Sequence, residues 1–311
     1  MNTVLPACKK TKVAIIGAGR VGITAAFAMY LKSTAHEIML FGRDKERLVG
    51  EQMDFMDSLS FMGTTTITVG EDPRQLAGSD VIVFTAGAAQ EKGETRLDLV
   101  KKNTAILESI IPGIVQYAPE SVVLMVTNPV DVLTYKTALM THMPHGRVFG
   151  SGTTLDTARF RFHLSEMLNV NPKSIHAYIL GEHGDSSFPT ISTANVGGQL
   201  ITTMSHFTKD QALQAYTKAK EAAYKIIAAK GSTYYAIGVV INQLVDAILS
   251  DAKRVYPLSV PLEGEYGATG VSLSVPCVLG RHGVERIIEI PLSEEERLKM
   301  KLSVETLKKF L

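Results

Sequence analysis

Val13-Ala14-Ile15-Ile16-Gly17-Ala18-Gly19-Arg20-Val21-Gly22 decides the fold of this chain. Four apolar residues in a row read as a strand buried on both faces. A glycine pattern of the form G-x-G-x-x-G follows at once, and residues 21–31 continue as a helix. Such a turn says little alone, but between a strand and a helix it has a mechanism. Gly17 makes the tight turn, Gly19 lets the backbone approach a pyrophosphate, and Gly22 allows helix and strand to pack closely. The helix N-terminus, opening at Val21, then faces the anionic phosphates. Gly17, Gly19, Val21 and Gly22 are therefore candidate cofactor-binding residues. A glycine-rich turn in a nucleotide-free α/β protein is the competing reading.

The same texture spreads outward. Residues 37–41 form a second strand, 44–58 a charged helix and 67–69 a short strand. Continuous apolar runs at 81–85 and 122–126 flank a long helical pattern at 96–117. This βαβ alternation predicts a doubly wound parallel sheet with right-handed crossovers. Beyond about Gly150 the pattern changes. A helix at 154–168 leads to short strands and the loop Gly181-Glu182-His183-Gly184-Asp185, then to helices at 210–229 and 232–250. Strands are expected at 255–260, 271–278 and 287–290, before a final helix at 293–311 that opens with a serine and an acidic first turn. The expected organisation is an α/β dinucleotide-binding Rossmann domain over residues 1–150 and an α+β substrate domain over residues 151–311.

Bulk properties narrow the function. With 45% hydrophobic and 20% charged residues the composition is that of a globular protein. A net charge of +1 gives no basic stripe for nucleic acid and no pull towards an acidic membrane. The run Glu294-Glu295-Glu296 reads as a solvated helix face. Cys8 and Cys277 are the only cysteines, too few and too far apart for a disulfide framework or a metal site. Residues 1–12 lack the apolar core of a signal peptide, and no uncharged apolar run reaches the roughly 18 residues of a membrane span. A soluble, cytoplasmic, metal-free protein is expected.

The end of the second strand bears on the cofactor. An NAD-selective site places an acid there for the ribose hydroxyls; this chain has Phe41-Gly42-Arg43-Asp44. Gly42 removes a carboxylate and Arg43 supplies a partner for a 2′-phosphate, so NADP is expected beside NAD. Asp44 either takes over the acid's role or caps the next helix.

His183 in its glycine-flanked loop is accompanied by Leu155-Asp156-Thr157-Ala158-Arg159, by Val126-Thr127-Asn128-Pro129-Val130-Asp131, and by Gln90-Glu91-Lys92-Gly93-Glu94-Thr95-Arg96. Taken together, these segments and the glycine loop resemble the lactate/malate dehydrogenase family, over nearly the whole chain. The resemblance implies that His183 donates and accepts the proton, that Asp156 orients it, and that Arg159 binds the substrate carboxylate. It further implies that Arg96, on a mobile loop, polarises the carbonyl, while Asn128 holds substrate beside the nicotinamide and, with Gly87, joins the cofactor site. The chemistry agrees: histidine titrates near neutrality, and arginine grips a carboxylate with two parallel hydrogen bonds. The bland alternatives are an i,i+3 surface salt bridge for Asp156 and Arg159 and a solvated first-turn position for Arg96.

Within the family, the position held by Gln90 carries glutamine in lactate enzymes and arginine in malate enzymes. A second substrate carboxylate needs a cation there and a methyl group does not. Glu94 adds negative charge to the same loop, and Thr233 resembles the substrate-pocket threonine of lactate dehydrogenases. The resemblance thus points to a lactate-type, pyruvate-reducing enzyme, with a malate dehydrogenase of the lactate-like subgroup and a non-catalytic dinucleotide-binding scaffold as rivals. Arg161 and His176 match positions that bind fructose 1,6-bisphosphate in allosteric bacterial enzymes; a helix-surface ion pair and a half-buried strand histidine are the alternatives. The chain departs from the family in a short segment before Thr11 and a trimmed one between about Val196 and Gln211, which leaves dimer and tetramer both open.

Overall fold

A computed structural model describes residues 10–89 and 93–311. Cys8 and Gln90 therefore lie outside the described residues. The first half runs β1 (Lys12–Ile16), α1 (Arg20–Lys32), β2 (Glu37–Phe41), α2 (Lys45–Asp57), β3 (Thr66–Gly70), β4 (Val81–Phe84), α3 (Arg96–Tyr117), β5 (Val122–Met125), α4 (Val130–Thr141) and β6 (Val148–Gly150). These strands pair in parallel in the order β3-β2-β1-β4-β5-β6. The order reverses between β1 and β4, and the crevice beyond the strand ends at that point is where such sheets take ligands.

The second half runs α5 (Thr154–Leu168), β7 (Ile175–His176), β8 (Ile179–Leu180), β9 (Phe188–Pro189), β10 (Asn195–Val196), β11 (Gln199–Leu200), α6 (Lys209–Lys230), α7 (Tyr235–Leu249), β12 (Arg254–Glu263), β13 (Thr269–Gly280), β14 (Gly283–Ile287) and α8 (Glu294–Lys308). Its three long strands do not make a separate layer. The antiparallel meander β12-β13-β14 joins the parallel sheet through Ser259 opposite Gly150, giving one nine-stranded sheet. Apolar side chains of both halves share one core, from Val13 and Ile15 through Leu244 and Val260 to Leu307.

Differences from the sequence reading have local causes. Helix α4 and strand β6 carry no expectation above. Helix α4 buries Val130, Asp131, Val132, Leu133 and Thr134 in succession, so the polar and apolar alternation that marks an amphipathic helix is absent. In place of the expected strand 287–290, β14 spans Gly283–Ile287; the Ile288 N–H still reaches the Pro276 carbonyl at 2.8 Å, and beyond it the Ile290 N–H turns to the Tyr266 hydroxyl at 2.9 Å. Helix α7 begins at Tyr235 rather than at residue 232. The acidic run that opens α8 is not simply solvated. Glu296 closes a capping box with Ser293 and accepts the Ser192 N–H at 3.0 Å, while Glu295 pairs with Lys209 and Lys299 at 2.8 and 2.7 Å. Among the described residues Cys277 is buried and free, no His, Cys, Asp and Glu group could hold a metal, and no helix is long and apolar enough to cross a membrane.

Candidate active site

The glycine loop divides its work as residue geometry requires. Gly17 has φ +102° and lies so close to the β4 loop that a Cβ would meet the Ala86 nitrogen at 2.5 Å. A Cβ on Gly22 would stand 2.1 Å from the Gly17 carbonyl oxygen, which already accepts the Thr85 hydroxyl at 2.6 Å. Gly19, in contrast, has nothing within 4 Å of its Cβ position. It caps α1 with no side-chain hydrogen bond and no acidic residue in the first turn. An open backbone and uncapped N–H groups fit a dinucleotide pyrophosphate. Half-buried Val21 follows in the first turn. Arg20, whose role the motif does not announce, donates to the Ser232 hydroxyl at 3.2 Å and ties the loop carrying Thr233 to the glycine loop.

At the end of β2, Gly42 presents only Leu48 Cδ1, at 3.5 Å, to an added Cβ. Arg43 is exposed and makes no ion pair or hydrogen bond among the described residues. Asp44 caps α2 by accepting the Arg47 N–H at 3.1 Å, so of its two readings the structure supplies the cap. The Arg47 guanidinium turns back to the Ala18 carbonyl at 3.0 Å, bringing a second cation to the glycine loop. Gly87 is fixed by packing: its Cβ would fall 2.2 Å from Thr127 Cγ2. Buried Asn103 joins the two loops here, accepting the Ala88 N–H at 2.8 Å and donating to the Asn128 carbonyl at 2.7 Å. The exposed Asn128 side chain is left facing outward.

His183 Nδ1 stands 2.7 Å from Asp156 Oδ2, and Asp156 Oδ1 is 3.3 Å from Arg159 Nη1. Asp156 and Arg159 occupy one face of α5, so the i,i+3 ion pair exists, but it extends to the histidine instead of ending at the surface. The Asp156 carboxylate fixes the ring with Nδ1–H towards itself and leaves Nε2 for a reacting oxygen. Burial alone would depress the imidazole pKa; the charge and hydrogen bond of Asp156, helped by Asp131, outweigh it and carry His183 up to about 9. Burial likewise opposes ionisation of Asp156, and the His183 and Arg159 charges overcome it, so its pKa lies below the usual carboxylate value.

Two acids around His183 carry no role in the motif reading. Asp131, on the first turn of α4, accepts the His183 backbone N–H at 2.7 Å and the Ser259 hydroxyl at 2.6 Å. Burial raises its pKa to about 6. Glu182 is wholly buried and ion-paired with Arg96. Arg96 is the first residue of α3, behind a Thr95–Asp98 capping box, and its guanidinium also lies 5.0 Å from the Phe310 ring centre. It is thus a first-turn residue, only partly exposed, directed at the residue preceding His183. Glu94 pairs with Lys102 at 2.5 Å, which offsets the negative charge that the sequence reading counted against a dicarboxylate. Arg161 is spent within the fold, donating to the Ala177 carbonyl at 2.8 Å and lying over Tyr178, rather than forming a surface ion pair. His176 is exposed on β7, beside that carbonyl.

Relatives and solved structures match this chain over more than nine-tenths of their lengths. The family model for the lactate/malate dehydrogenase NAD-binding domain matches residues 11–150, and that for the α/β C-terminal domain matches residues 153–311. An L-lactate dehydrogenase of Thermoanaerobacterium saccharolyticum is 45% identical over 291 residues, covering 92% of this chain and 93% of that protein. L-lactate dehydrogenase 1 of Clostridium acetobutylicum is 41% identical, over 97% and 98%. Among solved structures, a lactate dehydrogenase from a deep-sea metagenome of the Medee basin superposes with a TM-score of 0.93 at 36% identity, covering 98% of each chain. The minor L-lactate dehydrogenase of Enterococcus mundtii, in a ligand-bound form, gives 0.93 at 36% identity over 97% of each chain. With its NAD-binding half, its histidine–aspartate–arginine relay and these relatives, the chain belongs to the lactate/malate dehydrogenase family.

Proposed function

We propose that this chain is an L-lactate dehydrogenase that interconverts pyruvate and lactate with His183 as proton donor and acceptor. The observation that carries the proposal is the continuous contact Arg159–Asp156–His183 beside the dinucleotide crevice. Bound NADH supplies the hydride. The chain's own residues do the rest. Arg159 holds the substrate carboxylate, Arg96 draws electron density towards the carbonyl oxygen, and Asn128 and Thr233 flank the reacting carbon. Protonated His183 gives its Nε2 proton to that oxygen in reduction and takes it back in oxidation; Asp156 stabilises the imidazolium before transfer. The curated relatives, named as L-lactate dehydrogenases, support lactate over malate.

NADP acceptance belongs to the same proposal. An absent acid at Gly42, an exposed Arg43 and the nearby Arg47 support a place for a 2′-phosphate. Self-association is supported by exposed Phe27, Leu31, Met53, Phe61 and Val239 on α1, α2, the turn after α2, and α7. Bisphosphate regulation through Arg161 and His176 requires Arg161 to leave the Ala177 carbonyl, and a cytoplasmic setting completes the proposal.

Initial rates with pyruvate and oxaloacetate, each with NADH and NADPH and with or without fructose 1,6-bisphosphate, test these statements together. The expected outcome is a kcat/KM for pyruvate about 100-fold or more above that for oxaloacetate, with NADPH within about tenfold of NADH. Faster oxaloacetate turnover would make this a malate enzyme. A pyruvate curve unmoved by the bisphosphate removes the regulatory role of Arg161 and His176.

A further inference from the structure

We infer that Glu182 is a positioning residue for Arg96: a buried carboxylate of the catalytic loop holds the carbonyl-polarising guanidinium beside His183. The inference rests on the dehydrogenase reading and concerns how that site is assembled.

The loop is built around this carboxylate. Glu182 is wholly buried, and a carboxylate removed from water is strongly destabilising unless it is paired and hydrogen-bonded. Its carboxylate is held by Ser186 on Oε2 and by the Arg96 charge at Oε1, while its backbone is held from α8. Ser186 donates its hydroxyl to Oε2 from within the loop. Ser303 of α8 accepts the Glu182 backbone N–H at 2.6 Å, and its hydroxyl is 3.0 Å from that of Ser186. The glycines on either side of His183 make room for the same arrangement. A Cβ on Gly184 would lie 2.7 Å from Glu182 Oε1, and one on Gly181, at φ +91°, would lie 2.7 Å from the Ser303 hydroxyl. A loop needed only to present a histidine has no reason to enclose an acid in this way.

The cation comes from α3. The Arg96 guanidinium pairs with Glu182 and lies above the Phe310 ring, so a carboxylate and an aromatic face fix its orientation. A guanidinium has five donors in a rigid plane, and one carboxylate does not exhaust them. The remaining edge is available to a substrate oxygen that also accepts from His183. Because Glu182 precedes His183 in the chain, the polarising group and the proton donor are referenced to one short piece of backbone. That common reference is what fixed electrostatic stabilisation of a developing alkoxide requires.

The test uses the full-length enzyme carrying Glu182→Gln, Arg96→Gln, or both, with kcat and KM for pyruvate, the primary isotope effect from deuterated NADH, and thermal melting. Glu182→Gln keeps the shape and removes the charge. It is expected to lower kcat by about 10- to 100-fold while KM changes less than about threefold, with a larger isotope effect as hydride transfer becomes limiting. In the Arg96→Gln background the same change is expected to do little, because the pair acts as a unit. Equal effects of Glu182→Gln on kcat in both backgrounds, or an unchanged kcat, would overturn the inference. Should Glu182→Gln fail to fold, Phe310→Leu takes its place: a several-fold fall in kcat that vanishes in the Arg96→Gln background supports positioning, and an effect independent of Arg96 refutes it. Failure of the underlying reading looks different, since the wild-type enzyme would then turn over neither pyruvate nor oxaloacetate.

Discussion

Two arginine–carboxylate pairs bracket His183, and they are built in opposite ways. Arg159 and Asp156 stand three residues apart on α5, with side chains 13% and 20% exposed. Arg96 and Glu182 come from opposite halves of the chain and join a 32% exposed cation to a wholly buried anion. In the first pair a regular helix sets the geometry, so the spacing already contains it. In the second pair the geometry exists only once α3, the catalytic loop and α8 have packed. The first pair can spare a partner and keep its shape; the second leaves an uncompensated buried charge when Arg96 is lost.

Breaking the local pair is expected to give the largest effect. In the proposed function Arg159 holds the substrate carboxylate as well as Asp156, and two charge-assisted hydrogen bonds to a carboxylate are together worth about 3–6 kcal/mol. Arg159→Ala is therefore expected to reduce kcat/KM for pyruvate by about 10²- to 10⁴-fold, mainly through KM. Lysine at this position restores charge but not the fork, and is expected to recover only a small part of the loss. Steady-state kinetics across a range of pyruvate concentrations check both. A fall in kcat at unchanged KM would mean that Arg159 acts on the transition state instead of on the bound carboxylate.

Asp156→Asn sharpens the comparison through pH. With Asp156 in place, His183 titrates at about 9, so pyruvate reduction by the free enzyme is expected to be flat near neutrality and to fall through about pH 9. Asparagine removes the charge that outweighs burial, and the falling limb moves to lower pH. A profile of kcat/KM for pyruvate from pH 5 to 10 reads the shift, at about tenfold per pH unit beyond the limb. Stability follows the same sign. A raised histidine pKa stabilises the folded protein fully below its ordinary value of 6.5, and the contribution disappears as pH rises through about 9. The melting difference between wild type and Asp156→Asn should therefore be largest near pH 6 and shrink towards pH 9. A constant difference over that range would place the effect in packing and not in the His183–Asp156 charge.

What the sequence made legible follows the same division between local and assembled features. The strand–glycine–helix stretch at 13–22, helix 154–168 and the capped helices depend on neighbours in the chain, and the structure contains them. His183, Asp156 and Arg159 are legible through the family resemblance that the histidine loop, the Leu155–Arg159 segment and the other motifs carry together, since an i,i+3 carboxylate–arginine pair alone reads equally well as a surface salt bridge. Glu182 and Asp131 stand inside the same motifs, where the sequence assigns them no role. An acid between a glycine and a histidine, or one following Asn-Pro-Val, gives no sign that it will be buried; their backbone and side-chain partners Ser303 and Ser259 lie far along the chain. Arg47 and Asn103 lie on ordinary helical positions, where the sequence offers no contrast with solvated neighbours. Gln90, which the sequence reading made the substrate discriminator, lies outside the described residues, so its role rests on kinetics.

Asn103 supplies the smallest and most selective perturbation. Its amide spans the loops after β4 and β5 without any charge, accepting the Ala88 N–H at 2.8 Å and donating to the Asn128 carbonyl at 2.7 Å and, more weakly, to the Ala88 carbonyl at 3.4 Å. Aspartate there keeps the acceptor and abolishes the donor, setting a carboxylate oxygen against the Asn128 carbonyl, whereas alanine removes both contacts. An unsatisfied buried group is worth about 1–3 kcal/mol, so either variant should melt several degrees lower. The two diverge in catalysis. Asn103→Asp keeps the shorter tie to the Ala88 N–H, loses the longer one to the Ala88 carbonyl and frees chiefly the loop that carries Asn128, so it is expected to raise KM for pyruvate a few-fold with a smaller change in cofactor affinity. Asn103→Ala also frees the loop holding Gly87, and should weaken cofactor binding, measured by quenching of NADH fluorescence. Equal cofactor affinities in the two variants would show that the β4 loop is held by Gly87 packing against Thr127, leaving Asn103 as a clamp on the substrate side alone.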